Sequence, residues 1–555
     1  MKIIAIRVCV ALLFFAAGFA HAQQAAIASA HPLATEAGHE ILNRGGNAFD
    51  AAVAVAAALA VVEPYSSGIG GGGFLLLHRE SDKKQVMLDA RETAPAGVKR
   101  EHYFDEKGDP ISGATLRGGT SAGIPGTPAA LVHLAQHYGT LPLAQTLAPA
   151  IRLARDGFPV DNRYFRIAQI REKVLRGQTE AARIFLVDGN APKPGHVLRQ
   201  PELARTLERI ANEGAAGFYA GPVARSLVQA VNGAGGAWQL SDLESYRVIE
   251  REPVKFTYKG AAITTAALPS AGGIALAQSL AMLEQLNVSG IADAASAHAI
   301  SEVLRRAFRD RALHLGDPAH VRIPMARLVE KTYIKQLLTS ISPDKATASS
   351  ALGEAQPVKP ESGNTTHFSV IDAAGNRVGA TLTINWIFGS GLVVGGAGVL
   401  LNNEMDDFTL RADLPNAYRL RGSEANAIGP GKRPLSSMTP TFVEDARGVL
   451  ILGAPGGSRI VSQVLLGVLD YLGNNDVDVK RIVALPRYHH QFWPDQIEIE
   501  PEGFSTGWQN ALKAKGHTLR TVNRKWGNMQ AVFKSKASGI ASAASDPRGS
   551  DVAWY

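Results

Sequence analysis

Residues 364–372 read Asn-Thr-Thr-His-Phe-Ser-Val-Ile-Asp and place a pair of threonines at the start of an alternating, strand-like run. Taken alone, Thr365-Thr366 is most simply a piece of strand, because threonine is common in sheets. The alternative is that the chain is cut after Asn364 and Thr365 becomes an N-terminus. One residue then carries a hydroxyl nucleophile and an α-amine whose ordinary pKa, about 7.7 to 8.0, suits a base at neutral pH.

The sequence on both sides of this stretch favours a cleavable junction. Residues 343–363 are rich in Pro, Ser, Ala, Lys and Glu without a regular apolar period, which predicts a mobile surface linker. After Thr365 the pattern becomes that of a sheet, since residues 367–372 and 377–384 alternate around a short turn and predict a hairpin.

Helical patterns dominate the first two thirds of the chain. They predict helices over residues 48–62, 128–138, 143–156, 274–286 and 295–315. The first of these has almost no polar face, so we expect it to be buried on all sides. A length of 555 residues would by itself indicate two or more domains, but two interleaved pieces of a cut chain can form one body.

Residues 1–22 are predicted to be an export signal, with Lys2, an apolar run and the cleavage pattern Ala20-His21-Ala22. The alternative, a membrane anchor, is disfavoured because the uninterrupted apolar part is short for a bilayer. The only cysteine, Cys9, lies in this leader, which excludes disulfides, a thiolate nucleophile and cysteine-bound metals from the exported chain. We expect a periplasmic or secreted protein without a stable membrane anchor, and the modest net charge of +7 predicts no nucleic-acid partner.

A glycine run over residues 68–73 satisfies the G-x-G-x-x-G pattern of a dinucleotide site. A helix precedes it and a strand-like segment follows, which is the reverse of the order that aims a helix N-terminus at a pyrophosphate. We therefore expect no nucleotide cofactor, and interpret the glycines as positions of close backbone packing.

Three later segments carry polar groups suited to a small ligand. Residues 402–408 contain neighbouring acids that could hold an ammonium group, or could form a solvated turn. Ser436-Ser437 offers two adjacent hydroxyls for a carboxylate. Glycines in residues 453–459 precede a helical pattern, where their backbone N–H groups could stabilise an oxyanion or simply cap the helix. His489-His490 is a poor metal site, because adjacent side chains seldom face one point, and we expect no metal.

Together these motifs resemble the γ-glutamyltranspeptidase (glutathione hydrolase) family of N-terminal-nucleophile hydrolases. The resemblance runs from about residue 25 to residue 555 and includes residues 45–52, the glycine run, residues 88–92, Thr365-Thr366-His367, and residues 401–408, 432–438, 455–459 and 545–548. It implies an α+β fold, a four-layer α/β/β/α sandwich. It also implies self-cleavage between Asn364 and Thr365 into a large subunit (23–364) and a small catalytic subunit (365–555), which stay together as a heterodimer.

The resemblance assigns roles at matching positions of this chain. Thr365 would attack the γ-amide of glutathione or related γ-glutamyl compounds, and water or an acceptor amino acid or dipeptide would take the glutamyl group. Thr383 would orient Thr365. The remaining roles would be an oxyanion hole (Gly456, Gly457), a site for the α-carboxylate (Arg91, Ser436, Ser437) and a site for the α-ammonium (Asn385, Glu404, Asp407).

The resemblance also implies a lid over residues 409–429, with Tyr418 covering the pocket. Arg419 and Arg421 differ from the smaller residues often found there. Two alternatives remain: a glutaryl or cephalosporin acylase of the same superfamily, and a periplasmic solute-binding protein. An acylase substrate lacks the α-ammonium, so Glu404 and Asp407 would face no cation. A binding protein has no need of self-cleavage.

Overall fold

The computed structural model describes residues 24–288, 290–353 and 365–549. The predicted export signal, Cys9 and Asn364 lie outside these ranges. The strands are β1 (Ala26–Ser29), β2 (Gly72–Arg79), β3 (Lys84–Ala90), β4 (Phe158–Pro159), β5 (Val197–Leu198), β6 (Ile249–Arg251), β7 (Val254–Tyr258), β8 (Ala261–Thr265), β9 (Thr366–Ile371), β10 (Arg377–Thr383), β11 (Val393–Val394), β12 (Val399–Leu400), β13 (Thr441–Glu444), β14 (Gly448–Gly453), β15 (Tyr488–His489), β16 (Ile497–Ile499), β17 (Leu519–Thr521), β18 (Gln530–Ser535) and β19 (Ala541–Ser545).

The helices of the described ranges are α1 (Pro32–Asn43), α2 (Ala48–Val62), α3 (Thr127–His137), α4 (Leu143–Asp156), α5 (Asn162–Arg176), α6 (Thr179–Phe185), α7 (Pro201–Glu213), α8 (Ala216–Tyr219), α9 (Gly221–Gly233), α10 (Leu240–Glu244), α11 (Gly272–Gln285), α12 (Ala294–His314), α13 (Met325–Leu328), α14 (Lys331–Leu338), α15 (Arg459–Gly473), α16 (Val479–Ala484) and α17 (Thr506–Ala514). The five helices predicted from periodicity are confirmed, with bounds that agree within two residues. Short 3₁₀ turns include one over Glu404–Asp407.

Two six-stranded antiparallel sheets stack face to face. Their strand orders are β1-β9-β10-β2-β3-β6 and β19-β18-β14-β13-β8-β7. Between them, the Ser369 hydroxyl donates to the Ile451 carbonyl at 3.5 Å, and a Cβ at Gly453 would lie 2.3 Å from the His367 ring. Alternate residues of the strands point outward to helices: Leu75 packs in the core that contains α2, while Leu452 packs in the core that contains α15. The predicted four-layer α/β/β/α sandwich is confirmed.

Both sheets contain strands from either side of residue 365. In the first sheet, β9 and β10 lie between β1 and β2, so two late strands fill the gap between two early ones. In the second sheet, β13 from the later part of the chain pairs with β8 from the earlier part. The two parts therefore share both sheets and build one body.

The glycine run allows the backbone of β2 to approach its neighbours closely. A Cβ at Gly71 would lie 2.0 Å from the Thr383 carbonyl oxygen, and one at Gly70 would lie 2.1 Å from that of Leu400. The interpretation of the run as a close-packing element is confirmed, and it brings the end of β10 against the start of β2.

The prediction of a mobile linker over residues 343–363 is wrong for its first half. The backbone N–H of Ala346 donates to the Lys515 carbonyl at 2.7 Å. Buried Ser349 donates its hydroxyl to the Phe492 carbonyl and receives a hydrogen bond from Arg305. A polar segment can thus be well anchored when its side chains find buried partners, which composition does not reveal. Residues 354–363 lie outside the described ranges.

Helix α2 is buried along its entire length, as its composition predicts. Its N-terminus carries a capping box in which Asn47 accepts from the N–H of Asp50 and Asp50 accepts from that of Asn47. The Asp50 carboxylate also accepts from the backbone N–H of Thr140 at 2.9 Å and from its hydroxyl at 2.7 Å. One buried side chain thus fixes the helix start to the loop before α4.

None of the helices in the described ranges combines the length and apolar character needed to cross a bilayer.

We expect Asp50→Ala to lower the free energy of unfolding by about 3 kcal/mol, because several buried donors lose their acceptor. Urea denaturation followed by circular dichroism measures this. Asp82→Ala is the control: Asp82 is 47% exposed and pairs with Arg79, so its loss should change stability by less than about 1 kcal/mol. Equal losses of stability in Asp50→Ala and Asp82→Ala would contradict the role of Asp50 as the acceptor that fixes the start of α2.

Candidate active site

A cavity of about 20 Å³ lies where β9 begins and β10 ends. Every predicted catalytic or binding residue except Gly456 lines it. The lining residues are Arg91, Arg311, Thr365, Thr383, Asn385, Glu404, Asp407, Tyr418, Leu420, Ser436, Ser437, Met438, Gly457, Ser458 and Ile460. Gly456 is the neighbour of a lining residue. Segments far apart in sequence therefore converge on one point.

Sheet pairing places Thr365 beside Thr383. Thr366 pairs with Leu382 across β9 and β10, so Thr365 and Thr383 stand opposite each other one position further along. Their hydroxyl oxygens are 3.5 Å apart, and the Thr383 hydroxyl also accepts from the N–H of Asn385 at 2.7 Å. Thr365 is 4% exposed. Its hydroxyl thus lies at the wall of the cavity with a second hydroxyl next to it.

Gly456 and Gly457 form the turn that leads into α15. Both have positive φ, of 127° and 59°. Their carbonyls accept the first N–H groups of the helix, from Arg459 and Ile460. Within the described ranges, neither glycine N–H donates to another protein group. Such free donors at a helix N-terminus suit a developing negative charge.

Arg91 lies fully buried between two acids. Its guanidinium donates to Glu404 and Asp407, and its Nε donates to the Pro434 carbonyl at 3.1 Å. Burial acts against its charge, but the nearby carboxylates raise the pKa of Arg91. Three of its five N–H groups are used in this way. Arg91, from the predicted carboxylate site, is therefore hydrogen-bonded directly to Glu404 and Asp407 of the predicted ammonium site.

Glu92 adds a third carboxyl to this group. Its oxygens are buried and accept no hydrogen bond from the described residues, and the nearer one is 3.8 Å from Arg91. Burial raises the pKa of Glu92 to about 7, and burial likewise raises that of Glu404, with Arg91 opposing both shifts. Glu404 accepts directly from Arg91, whereas Glu92 has no hydrogen-bond partner in the described ranges, so burial dominates the pKa of Glu92.

Ser436 and Ser437 line the same cavity as Arg91. The Ser436 hydroxyl accepts from the N–H of Met438 at 3.1 Å, and a backbone hydrogen bond from its N–H to the Pro269 carbonyl holds the segment. The Ser437 hydroxyl is buried and has no partner in the described ranges. It can still donate to a ligand.

Tyr418 closes the cavity on one side. Its hydroxyl donates to the Asn385 carbonyl at 3.0 Å. Its ring lies so close to Gly457 that a Cβ there would be 2.1 Å from it. The neighbouring Arg419 is buried and pairs with Glu498 at 2.6 Å, whereas Arg421 is partly exposed. Tyr418 therefore lies where a lid residue is expected.

Arg311 is a lining residue that sequence reasoning missed. It lies in the last turn of α12, a predicted helix, but a helical arginine normally signals only a solvated face. Here it is 5% exposed. No pattern in the sequence marks it, because its burial depends on which segments pack over the end of the helix.

His489 and His490 face different groups, as expected for adjacent side chains. His489 contacts Ser462 and Gln491, and His490 contacts Asp495. Another group, His298, Glu302 and His517, has ligand atoms within 4.8 Å of one another.

That second group is poorly suited to a cation. The two histidines are hydrogen-bonded to each other at 2.7 Å, and Glu302 pairs with Arg305 and Arg306. Its donor atoms are already engaged, and the two arginines would repel a metal ion.

Thr365 immediately precedes β9, an inner strand of one of two stacked sheets that have helices on their outer faces. This arrangement places the chain among the N-terminal-nucleophile hydrolases.

Comparison with known proteins identifies the family within this class. The family model described as gamma-glutamyltranspeptidase matches residues 34–555. The glutathione hydrolase proenzyme of Escherichia coli (strain K12) is 39% identical over 534 residues, 96% of this chain and 91% of that protein. The glutathione hydrolase proenzyme of Pseudomonas aeruginosa is 41% identical over 540 residues, 95% and 94% of the two chains. The crystal structure of cephalosporin acylase from Bacillus halodurans has a TM-score of 0.83 at 26% identity, covering 96% of both chains. The chain belongs to the γ-glutamyltranspeptidase family.

The raised pKa of Glu92 has a defined effect on stability. The folded protein keeps a proton that the unfolded chain releases above its ordinary pKa of 4.5. The stability contributed by Glu92 is therefore present below pH 4.5 and is lost as the pH rises through 7. Glutamine does not ionise, so Glu92→Gln does not lose this stability. We expect its free energy of unfolding, relative to that of wild type, to increase by up to about 3 kcal/mol between pH 4.5 and pH 7. Urea denaturation at pH 5 and pH 8 measures it. A difference that does not change with pH would mean that Glu92 is ionised throughout.

Proposed function

We propose that this protein is a self-processing γ-glutamyltransferase and glutathione hydrolase. The observation that carries the proposal is the position of Thr365, whose hydroxyl lies in a cavity lined by guanidinium, carboxylate and serine hydroxyl groups. A γ-glutamyl group ends in a zwitterion, with a carboxylate and an ammonium on one carbon. A site with both cationic and anionic groups matches it, and the family assignment supports the same activity.

In the first step, the Thr365 hydroxyl attacks the carbonyl carbon of Asn364. The peptide bond is replaced by an ester, which water hydrolyses to leave Asn364 as a C-terminus and Thr365 as an N-terminus. The large subunit (23–364) and small subunit (365–555) stay joined because both contribute strands to each sheet. Residues 1–22 direct export to the periplasm or medium before or during this maturation.

In catalysis, the Thr365 α-amine accepts the hydroxyl proton as the oxygen attacks the γ-carbonyl of the donor. The oxyanion is held by the N–H groups of Gly456 and Gly457, and Thr383 orients the nucleophile. The proton then passes to the departing amine, and a γ-glutamyl ester of Thr365 remains. Water completes hydrolysis, and the amine of an amino acid or dipeptide completes transfer.

The donor's head group spans the charged side of the cavity. Its α-carboxylate takes donors from Arg91, Ser436 and Ser437, and the unpartnered Ser437 hydroxyl supports this placement. Its α-ammonium is bound by Asn385, Glu404 and Asp407. The ammonium gives the acids a second cation besides Arg91, which offsets the cost of burying them together.

We expect Thr365→Ala to accumulate as one uncut chain, because the attacking hydroxyl is missing. Denaturing electrophoresis should show two bands for the wild type, and N-terminal sequencing of the smaller band should begin at Thr365. Thr365→Ser, which keeps a hydroxyl, is the matched control and should still be processed. A small subunit that begins elsewhere would remove Thr365 as the nucleophile.

The substrate of the alternative, a glutaryl acylase, differs from a γ-glutamyl donor in one charged group, the α-ammonium. We expect a γ-glutamyl anilide to show a kcat/KM at least about tenfold above that of a glutaryl anilide, since only the former supplies an ammonium to Glu404 and Asp407. Chromogenic assays with the processed wild type compare the two directly. Faster cleavage of the glutaryl compound would favour a cephalosporin-type acylase.

A further inference from the structure

Arg311 presents a buried positive charge to the cavity without a partner. No hydrogen bond or ion pair joins its guanidinium to any residue of the described ranges. Burial lowers the pKa of Arg311 to about 10, which leaves it charged at neutral pH. An isolated buried charge is costly, so protein interiors normally pair it.

The surroundings of Arg311 do not supply the missing anion. The C-terminal end of α12 offers a partial negative charge, but a helix dipole stabilises a cation by at most a few tenths to two kcal/mol. Asp407 is the nearby acid that acts on Arg311, and its carboxylate already accepts from Arg91 and, at 3.1 Å, from Asn416. The guanidinium therefore keeps donors available toward the cavity.

Arg91, by contrast, is largely occupied. Glu404, Asp407 and the Pro434 carbonyl take three of its N–H groups. A ligand carboxylate that met Arg91 alone would have to compete with two acids. A second guanidinium removes this competition. One arginine can stay paired with the two acids while the other binds the carboxylate of a zwitterion, and the acids remain available for its ammonium.

We infer that Arg311 binds the α-carboxylate of the γ-glutamyl donor together with Arg91 and Ser437, and is thus a second specificity-determining cation of the site. This inference rests on the proposed function. It further implies that Arg91 keeps Glu404 and Asp407 in position for the ammonium while Arg311 supplies the free donors for the carboxylate.

The test compares Arg311→Met with wild type on three anilides in the processed enzyme. The γ-glutamyl anilide has both charged groups, the glutaryl anilide only the carboxylate, and the 4-aminobutanoyl anilide only the ammonium. We expect KM for the γ-glutamyl compound to rise at least about tenfold with kcat changed much less, and catalytic efficiency on the glutaryl compound to fall similarly. Efficiency on the 4-aminobutanoyl compound should stay within about twofold.

Two further variants complete the design. Arg309→Met is the matched control, since Arg309 lies on the same helix, is 28% exposed and pairs with Asp310, so KM should not change. Arg311→Lys keeps the charge without the guanidinium fork and should give an intermediate KM. If Arg311→Met is not processed into two subunits, Arg311→Lys takes its place in the comparison of KM values.

The outcomes separate the two proposals. No turnover of the γ-glutamyl anilide by wild type would contradict the proposed function itself. Turnover with an unchanged KM in both Arg311 variants would overturn only the role of Arg311. A rise in KM for glutathione but not for the anilide would also overturn it, because the partner would then be the carboxylate of the leaving peptide.

Discussion

The pairing of β9 with β10 is the constraint on which the rest of the molecule depends. Both strands are buried on both faces, so a shift of one residue would exchange the side chains directed to the two cores. The observed register sets Thr365 beside Thr383 and fits the His367 ring against Gly453. The same register that packs the sandwich therefore also positions the proposed nucleophile.

Charge compensation is the second organising feature of the site. Arg91, Arg311, Glu404, Asp407 and Glu92 come together where water is largely excluded. The buried Arg91 fixes two acids in place, and burial raises the pKa of Glu92, which disfavours a third negative charge beside them. Binding of the proposed zwitterionic donor adds no net charge and exchanges internal ion pairs for pairs with the ligand.

Much of this organisation could be predicted from local patterns. The apolar α2, the hairpin after Thr365 and the packing role of the glycines follow from periodicity and flanking order, and the family resemblance located the polar motifs. The anchored segment before residue 354 could not be predicted, because its order comes from distant partners such as Asp495 and Phe492. Arg311 was missed for a similar reason, since only tertiary packing buries it. The pairing of Arg91 with Glu404 and Asp407 likewise depends on geometry that sequence spacing does not contain.

The interleaving of strands has a consequence for how the mature protein is renewed. An uncut chain brings β8 and β13, or β1 and β9, together as parts of one molecule, and its folding is independent of concentration. After the proposed cleavage, the same contacts would join two polypeptides, so recovery from complete unfolding would require their encounter and would slow on dilution. A molecule processed in the proposed way that unfolds in dilute solution would then be effectively lost. Its lifetime depends on how slowly it unfolds, and replacement depends on new synthesis of the precursor.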